Sequence, residues 1–123
     1  MYHKLSYNTN TMILVNSPIS RQELRQIAIK SFGNLVKAVV DVTKKVMVID
    51  ASLHADEEAM LLSQDSKQED LWGINLYPDL AGEDFVEFDS MINLRPGSGN
   101  MSRGIDNSAI REKIKTIVSS LVK

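Results

Sequence analysis

Apolar and polar residues alternate in two stretches of the second half of the chain. In the run 72–77, Trp72, Ile74 and Leu76 fall on one side, and Gly73, Asn75 and Tyr77 on the other. In the run 85–95, Val86, Phe88, Ile92 and Leu94 oppose Glu87, Asp89, Asn93 and Arg95. A period of two with one apolar side marks a half-buried strand. The segment 78–84 between them, which holds Pro78, Asp79 and Gly82, is turn chemistry, so the two runs are expected to pair as an antiparallel hairpin. Asn75, Tyr77, Glu87, Asp89, Asn93 and Arg95 would then share the polar face of that hairpin.

The remaining pattern supplies the other elements. Met12 to Val15 is a short apolar strand. Ser20 with Glu23 three residues on forms a capping box, Ile19 and Leu24 form a hydrophobic staple, and Leu24, Ile27, Ala28 and Phe32 follow at helical spacing up to Gly33. Leu35 to Val42 and Val46 to Ile49 are β-branched runs around a turn at 43–45, which favours buried strands over helix. Near the C-terminus, Ile110, Ile114, Ile117, Val118, Leu121 and Val122 make one apolar helical stripe, with Asp106 or Asn107 as its cap. Residues 54–63 admit two readings. One is a short helix capped by Asp56, with Glu57 and Glu58 in its first turn. The other is a strand, Ala59 to Ser63, turning at 64–67 into the Trp72 strand. The shortness of the apolar run and the hairpin distance to Trp72 favour the strand.

The predicted architecture is therefore α+β. An antiparallel sheet of about five to six strands carries two amphipathic helices on one face, and the other face is exposed or covered by a second subunit. At 123 residues the chain suits a single domain, expected over 12–123, behind a polar tail at 1–11 without clear periodicity.

Composition narrows the chemistry. The absence of cysteine excludes disulfides, thiolate metal sites and a cysteine nucleophile, and suits a cytoplasmic location. No apolar run approaches the roughly 18 residues of a membrane helix, so no membrane partner is expected. Net charge is only -2, yet residues 56–89 hold eleven acids against Lys67 alone. Phosphate would be repelled there, which disfavours nucleic acid.

Three groupings carry candidate chemistry. His54, Asp56 and Glu58 would share a strand face and offer nitrogen and oxygen to a divalent metal, but no second ligating histidine lies near and no established metal spacing is present. A solvated acidic loop explains them more simply. On the hairpin face, Asn75, Tyr77, Asn93 and Arg95 are ligand-binding candidates, and Asp89 joins His54 as a candidate acid or base. A salt-bridged polar sheet face is the plainer alternative. Arg95, Gly97, Gly99, Asn100, Ser102 and Arg103 form an anion-friendly loop ahead of a helix, although neither a Walker loop nor a dinucleotide fingerprint is present. Asn100 and Arg103 are its ligand-binding candidates.

The phrases Leu53-His54-Ala55-Asp56-Glu57-Glu58, Ser66 through Pro78 around Trp72-Gly73-Ile74-Asn75-Leu76-Tyr77, Phe88 through Pro96, and Asn100-Met101-Ser102-Arg103 resemble an uncharacterised family of short prokaryotic proteins, a domain of unknown function. The resemblance spans roughly Met12 to Leu121. It implies a complete, free-standing small protein and brings no activity, substrate or cofactor. Asp65 stands where the resemblance leads one to expect glycine.

Two functions follow as expectations. The first, favoured by the lack of a complete catalytic set, is a non-catalytic binding or interaction module, homodimeric through the second sheet face. The alternative is a small enzyme or ligand-binding protein for an anionic phosphate or carboxylate metabolite, with a divalent metal as a conceivable assistant. The cofactor is unknown, and none is strongly indicated. The alternative requires His54, Asp89, Arg95 and Arg103 to line one concavity.

Overall fold

The computed structural model describes residues 3–4 and 12–123. Among these residues six antiparallel strands form one sheet in the order β1-β2-β4-β3-β5-β6. These are β1 (His3–Lys4), β2 (Ile13–Val15), β3 (Val36–Asp41), β4 (Val46–Ile49), β5 (Leu71–Leu76) and β6 (Val86–Glu87). The described residues also hold the α-helices α1 (Arg21–Lys30), α2 (His54–Ser63) and α3 (Ser108–Leu121). Apart from the two residues of β1, the expected tail at 1–11 lies outside the described residues.

The period-two pattern sorts the core into two layers. Val36, Ala38, Val40, Met47, Ile49, Trp72, Ile74 and Leu76 pack on one face with Leu24 and Ala28 of α1 and Ile114, Ile117, Val118 and Leu121 of α3. Their neighbours in sequence, Val39, Val48 and Leu71, point the other way and pack with Met12 and with Met60 and Leu61 of α2. The capping box at α1 is present: Glu23 N donates to Ser20 Oγ (3.0 Å) and Ser20 N to Glu23 Oε1 (3.3 Å). Asn107 caps α3, its Oδ1 accepting from Ala109 N and Ile110 N.

Two expectations are corrected. Residues 54–63 form helix α2, not a strand. Asp56 and Glu57 in its first turn favour the positive end of the helix dipole. The favoured strand reading missed this because the buried side of α2 includes His54 and Glu57, which hide its amphipathicity. The run 85–95 is not one strand either. Pairing ends after Asn75↔Glu87 and Leu76↔Val86, and Ser90 then caps a 3-10 turn at Met91–Asn93. In consequence part of the second sheet face is covered. α2 covers part of it, and the 91–93 turn covers β5 beside Gly73, where an added Cβ would stand 2.5 Å from Ser90 Cβ.

At Asp65 φ is 69°, in the left-handed region that favours glycine. No helix among the described residues is long and apolar enough to cross a membrane.

Candidate functional site

The antiparallel register lays three polar residues in a row. Lys37 on β3 pairs with Asn75 on β5, and Asn75 pairs with Glu87 on β6. Strands stand about 4.8 Å apart, so the row crosses the sheet corner in about 10 Å. The N-terminus of α2 sits over it. Together they line a concavity of about 470 Å³, whose polar groups are Lys37, His54, Asn75, Tyr77, Glu87, Asp89, Ser90 and Arg103. Leu35, Leu53, Met91 and Ile92 supply apolar wall, and Leu53 and Met91 are exposed. That size and mix suit a small ligand.

Each polar group is held from behind. His54 is buried and its Nε2 lies 2.8 Å from Ile74 O, so Nε2 carries the proton and donates. Burial pushes the His54 pKa below its ordinary 6.5; the bond to Ile74 opposes this, Lys37 adds to it, and Asn75 and Asp89 oppose it weakly. The imidazole is consequently neutral at neutral pH. Asn75 Nδ2 donates to Glu87 Oε1 (2.9 Å) and Asp89 O (3.3 Å), and Tyr77 OH donates to the same Glu87 oxygen (2.9 Å). Burial, and then the Glu87 carboxylate, raise the Tyr77 pKa, so the phenol keeps its proton. Arg103 Nε donates to Asp89 Oδ1 at 2.8 Å, which leaves its terminal nitrogens for a ligand. Lys37 Nζ lies over the Phe32 ring, 5.2 Å from its centroid. The helix enters through Leu53, and no side chain caps it.

The loop bearing Asp89 and Arg103 is fastened by two carboxamides. Asn93 accepts from Gly73 N (2.8 Å) and donates to Gly73 O (2.9 Å) and Arg103 O (3.0 Å). It imitates the peptide group of a missing neighbour strand. Asn100 donates to Asn93 O, Ser102 O and Gly104 O and accepts from Asp106 N.

Of the residues singled out in the sequence, His54, Asn75, Tyr77, Glu87, Asp89 and Arg103 meet in this concavity. Arg95 does not join them. It stacks on Trp72 (4.6 Å to the ring centroid), donates to Ile92 O (3.0 Å) and Leu71 O, and lies 3.9 Å from Glu58. Asn93 and Asn100 are buried behind the loop, with Asn93 engaged by Gly73 of β5 and by the loop, and Asn100 by the loop. The strand face imagined for His54, Asp56 and Glu58 is lost on a helix. Positions four apart share a side there, whereas Asp56 turns away and is exposed. Among the described residues no group of three or more His, Asp or Glu stands together as a metal site. Sequence reasoning passed over Lys37. Its signal was a lone base inside the apolar run 35–40.

A family model described as a protein of unknown function (DUF5674) matches residues 13–121. No curated protein and no solved structure matches the chain.

Proposed function

The chain belongs to the DUF5674 family, whose description carries no function, and from the concavity itself we propose a non-catalytic binding protein for a small anionic metabolite. One observation carries this reading. The uncapped N-terminus of α2 borders a concavity shared with Lys37 and Arg103. Free backbone amides and the helix dipole favour an anion at such an end. Two side-chain cations beside it add charge, and Arg103 adds a planar fork suited to a carboxylate or phosphate. Tyr77, Asn75 and Glu87 hold one another by hydrogen bonds, so that wall is preorganised.

Amide chemical-shift titration with sodium acetate and sodium phosphate tests the proposal. Shifts confined to residues 37, 53–55 and 103, weakened in Lys37→Ala and Arg103→Ala, are expected. Shifts spread over the surface, or none with either salt, would refute it. A homodimer is the second reading, favoured by the exposed Leu53 and Met91 at the mouth. Light scattering at two protein concentrations decides it. A cytoplasmic setting suits the absence of cysteine.

A further inference from the structure

An anion accounts for only half of the concavity. Asn75 is 6% exposed and lines the cavity, and its buried Oδ1 has no hydrogen bond of ordinary geometry among the described residues, with the His54 ring beside it. A buried acceptor left without a donor is costly, and native structures seldom leave one so. Its surroundings offer more acceptors. Glu87 uses only Oε1 for Asn75 and Tyr77, and Asp89 uses Oδ1 for Arg103, which leaves one further oxygen on each carboxylate. The donors lie elsewhere in the cavity, on Lys37, on Arg103 and at the start of α2.

The lining therefore has two polarities. The row Lys37–Asn75–Glu87 runs from cation through amide to carboxylate across three strands. Lys37 and Arg103 balance Glu87 and Asp89, and His54 is neutral. A lining of no net charge is matched by a ligand of no net charge that carries both signs.

We infer that the cavity takes a small zwitterion of the amino-acid class. Its carboxylate lies at the α2 N-terminus with Lys37 and Arg103, and its ammonium group donates to Asn75 Oδ1 and to the free oxygens of Glu87 and Asp89. This rests on the anion-binding reading and adds the ammonium half.

The experiment compares acetate, methylamine, glycine and β-alanine by amide titration of the full chain. It is repeated on Glu87→Gln and Asp89→Asn, whose side chains keep the same shape. Glycine or β-alanine is expected to bind about tenfold or more tighter than acetate, the worth of one charge-assisted hydrogen bond. Each variant should shrink that preference. Equal affinity for acetate and both zwitterions would overturn the inference and leave the anion reading standing. A zwitterion preference that survives both variants would overturn it too. Binding of methylamine without acetate, or of none of the four, would overturn both.

Discussion

Asn93→Ala removes the side chain that closes β5 where no strand lies beside it. Three hydrogen bonds go at once: Gly73 N to Oδ1, and Nδ2 to Gly73 O and to Arg103 O. Asn93 is fully buried, at 0% exposure, so water does not simply replace the lost carboxamide. An ordinary bond contributes about 1 kcal/mol net, while a buried donor stripped of its acceptor costs about 1–3 kcal/mol. Gly73 N–H is such a donor, and the two carbonyls cost less because each has a second lone pair. The sum is about 3–5 kcal/mol, a large part of the 5–15 kcal/mol that holds a typical domain. With a urea m-value of about 1.5 kcal/mol/M, the midpoint should fall by about 2–3 M. Urea denaturation followed by Trp72 fluorescence measures it, and hydrogen exchange at Gly73 should accelerate more than exchange in the centre of β3. Asn93→Asp sharpens the test. It keeps the acceptor for Gly73 N–H but turns a carboxylate toward two carbonyls, so it should be less stable at neutral pH and recover as acid protonates it. An Asn93→Ala loss below about 1 kcal/mol would refute the account of Asn93 as a substitute strand.

Other consequences can be checked with the same denaturation assay. Gly73→Ala would place a Cβ 2.5 Å from Ser90 Cβ and 2.6 Å from its Oγ. It should cost about 1–3 kcal/mol, and Ser90→Gly in the same chain should recover part of that; wild-type stability in the single variant would show the contact to be loose. Glu57 is completely buried, and burial raises its pKa well above the ordinary 4.5 despite the bond from Ala51 N. The folded chain keeps a proton there that the unfolded chain releases, so this group erodes stability as pH rises above 4.5. Glu57→Gln should flatten that slope and be the more stable form at neutral pH; an unchanged slope would place the charge elsewhere. His54 acts in the opposite sense. Its folded pKa lies below 6.5, so the unfolded chain takes up a proton first and stability falls as pH drops through that value. His54→Gln should remove this loss, and an NMR titration midpoint for His54 at or above 6.5 would contradict its burial.

Elements whose signals are local were legible in the sequence. Ser20 and Glu23 meet each other within one turn, and the inward sets of β3, β4 and β5 follow simple alternation. Helix α2 was not legible, because two of its four buried residues are His54 and Glu57, and polar residues on the buried side erase the apolar stripe. The run 85–95 misled for a different reason. Its alternation is real, but a strand also needs a partner, and after Glu87 the partner of β5 is the Asn93 carboxamide and the Ser90 turn. Nothing in the spacing of Ser90, Asn93 and Asn100 reveals that their bonds run to backbone 20 residues away at Gly73 or into their own loop.

The site follows from that interruption. Had β6 continued along the expected hairpin, Asp89, Asn93 and Arg95 would have lain in one line on a flat polar face, where opposite charges pair and nothing is enclosed. Ending the strand at Glu87 lets the chain fold back over β5. Asn93 and Arg95 are drawn into fastening the loop, and Asp89 and Arg103 are left at the mouth of a concavity whose floor is Asn75. α2 supplies the roof because Leu53 delivers an uncapped helix start to that corner. The same reasoning separates the two arginines. Arg95 donates to two backbone carbonyls and stacks on Trp72, so its loss should lower stability first. Arg103 spends only Nε on a carboxylate that is itself half exposed, so its loss should lower ligand affinity while stability stays near wild type. A ligand titration and a melting curve on Arg95→Gln and Arg103→Gln should therefore give opposite rankings, and equal losses in both assays for both variants would place the two arginines in one structural network.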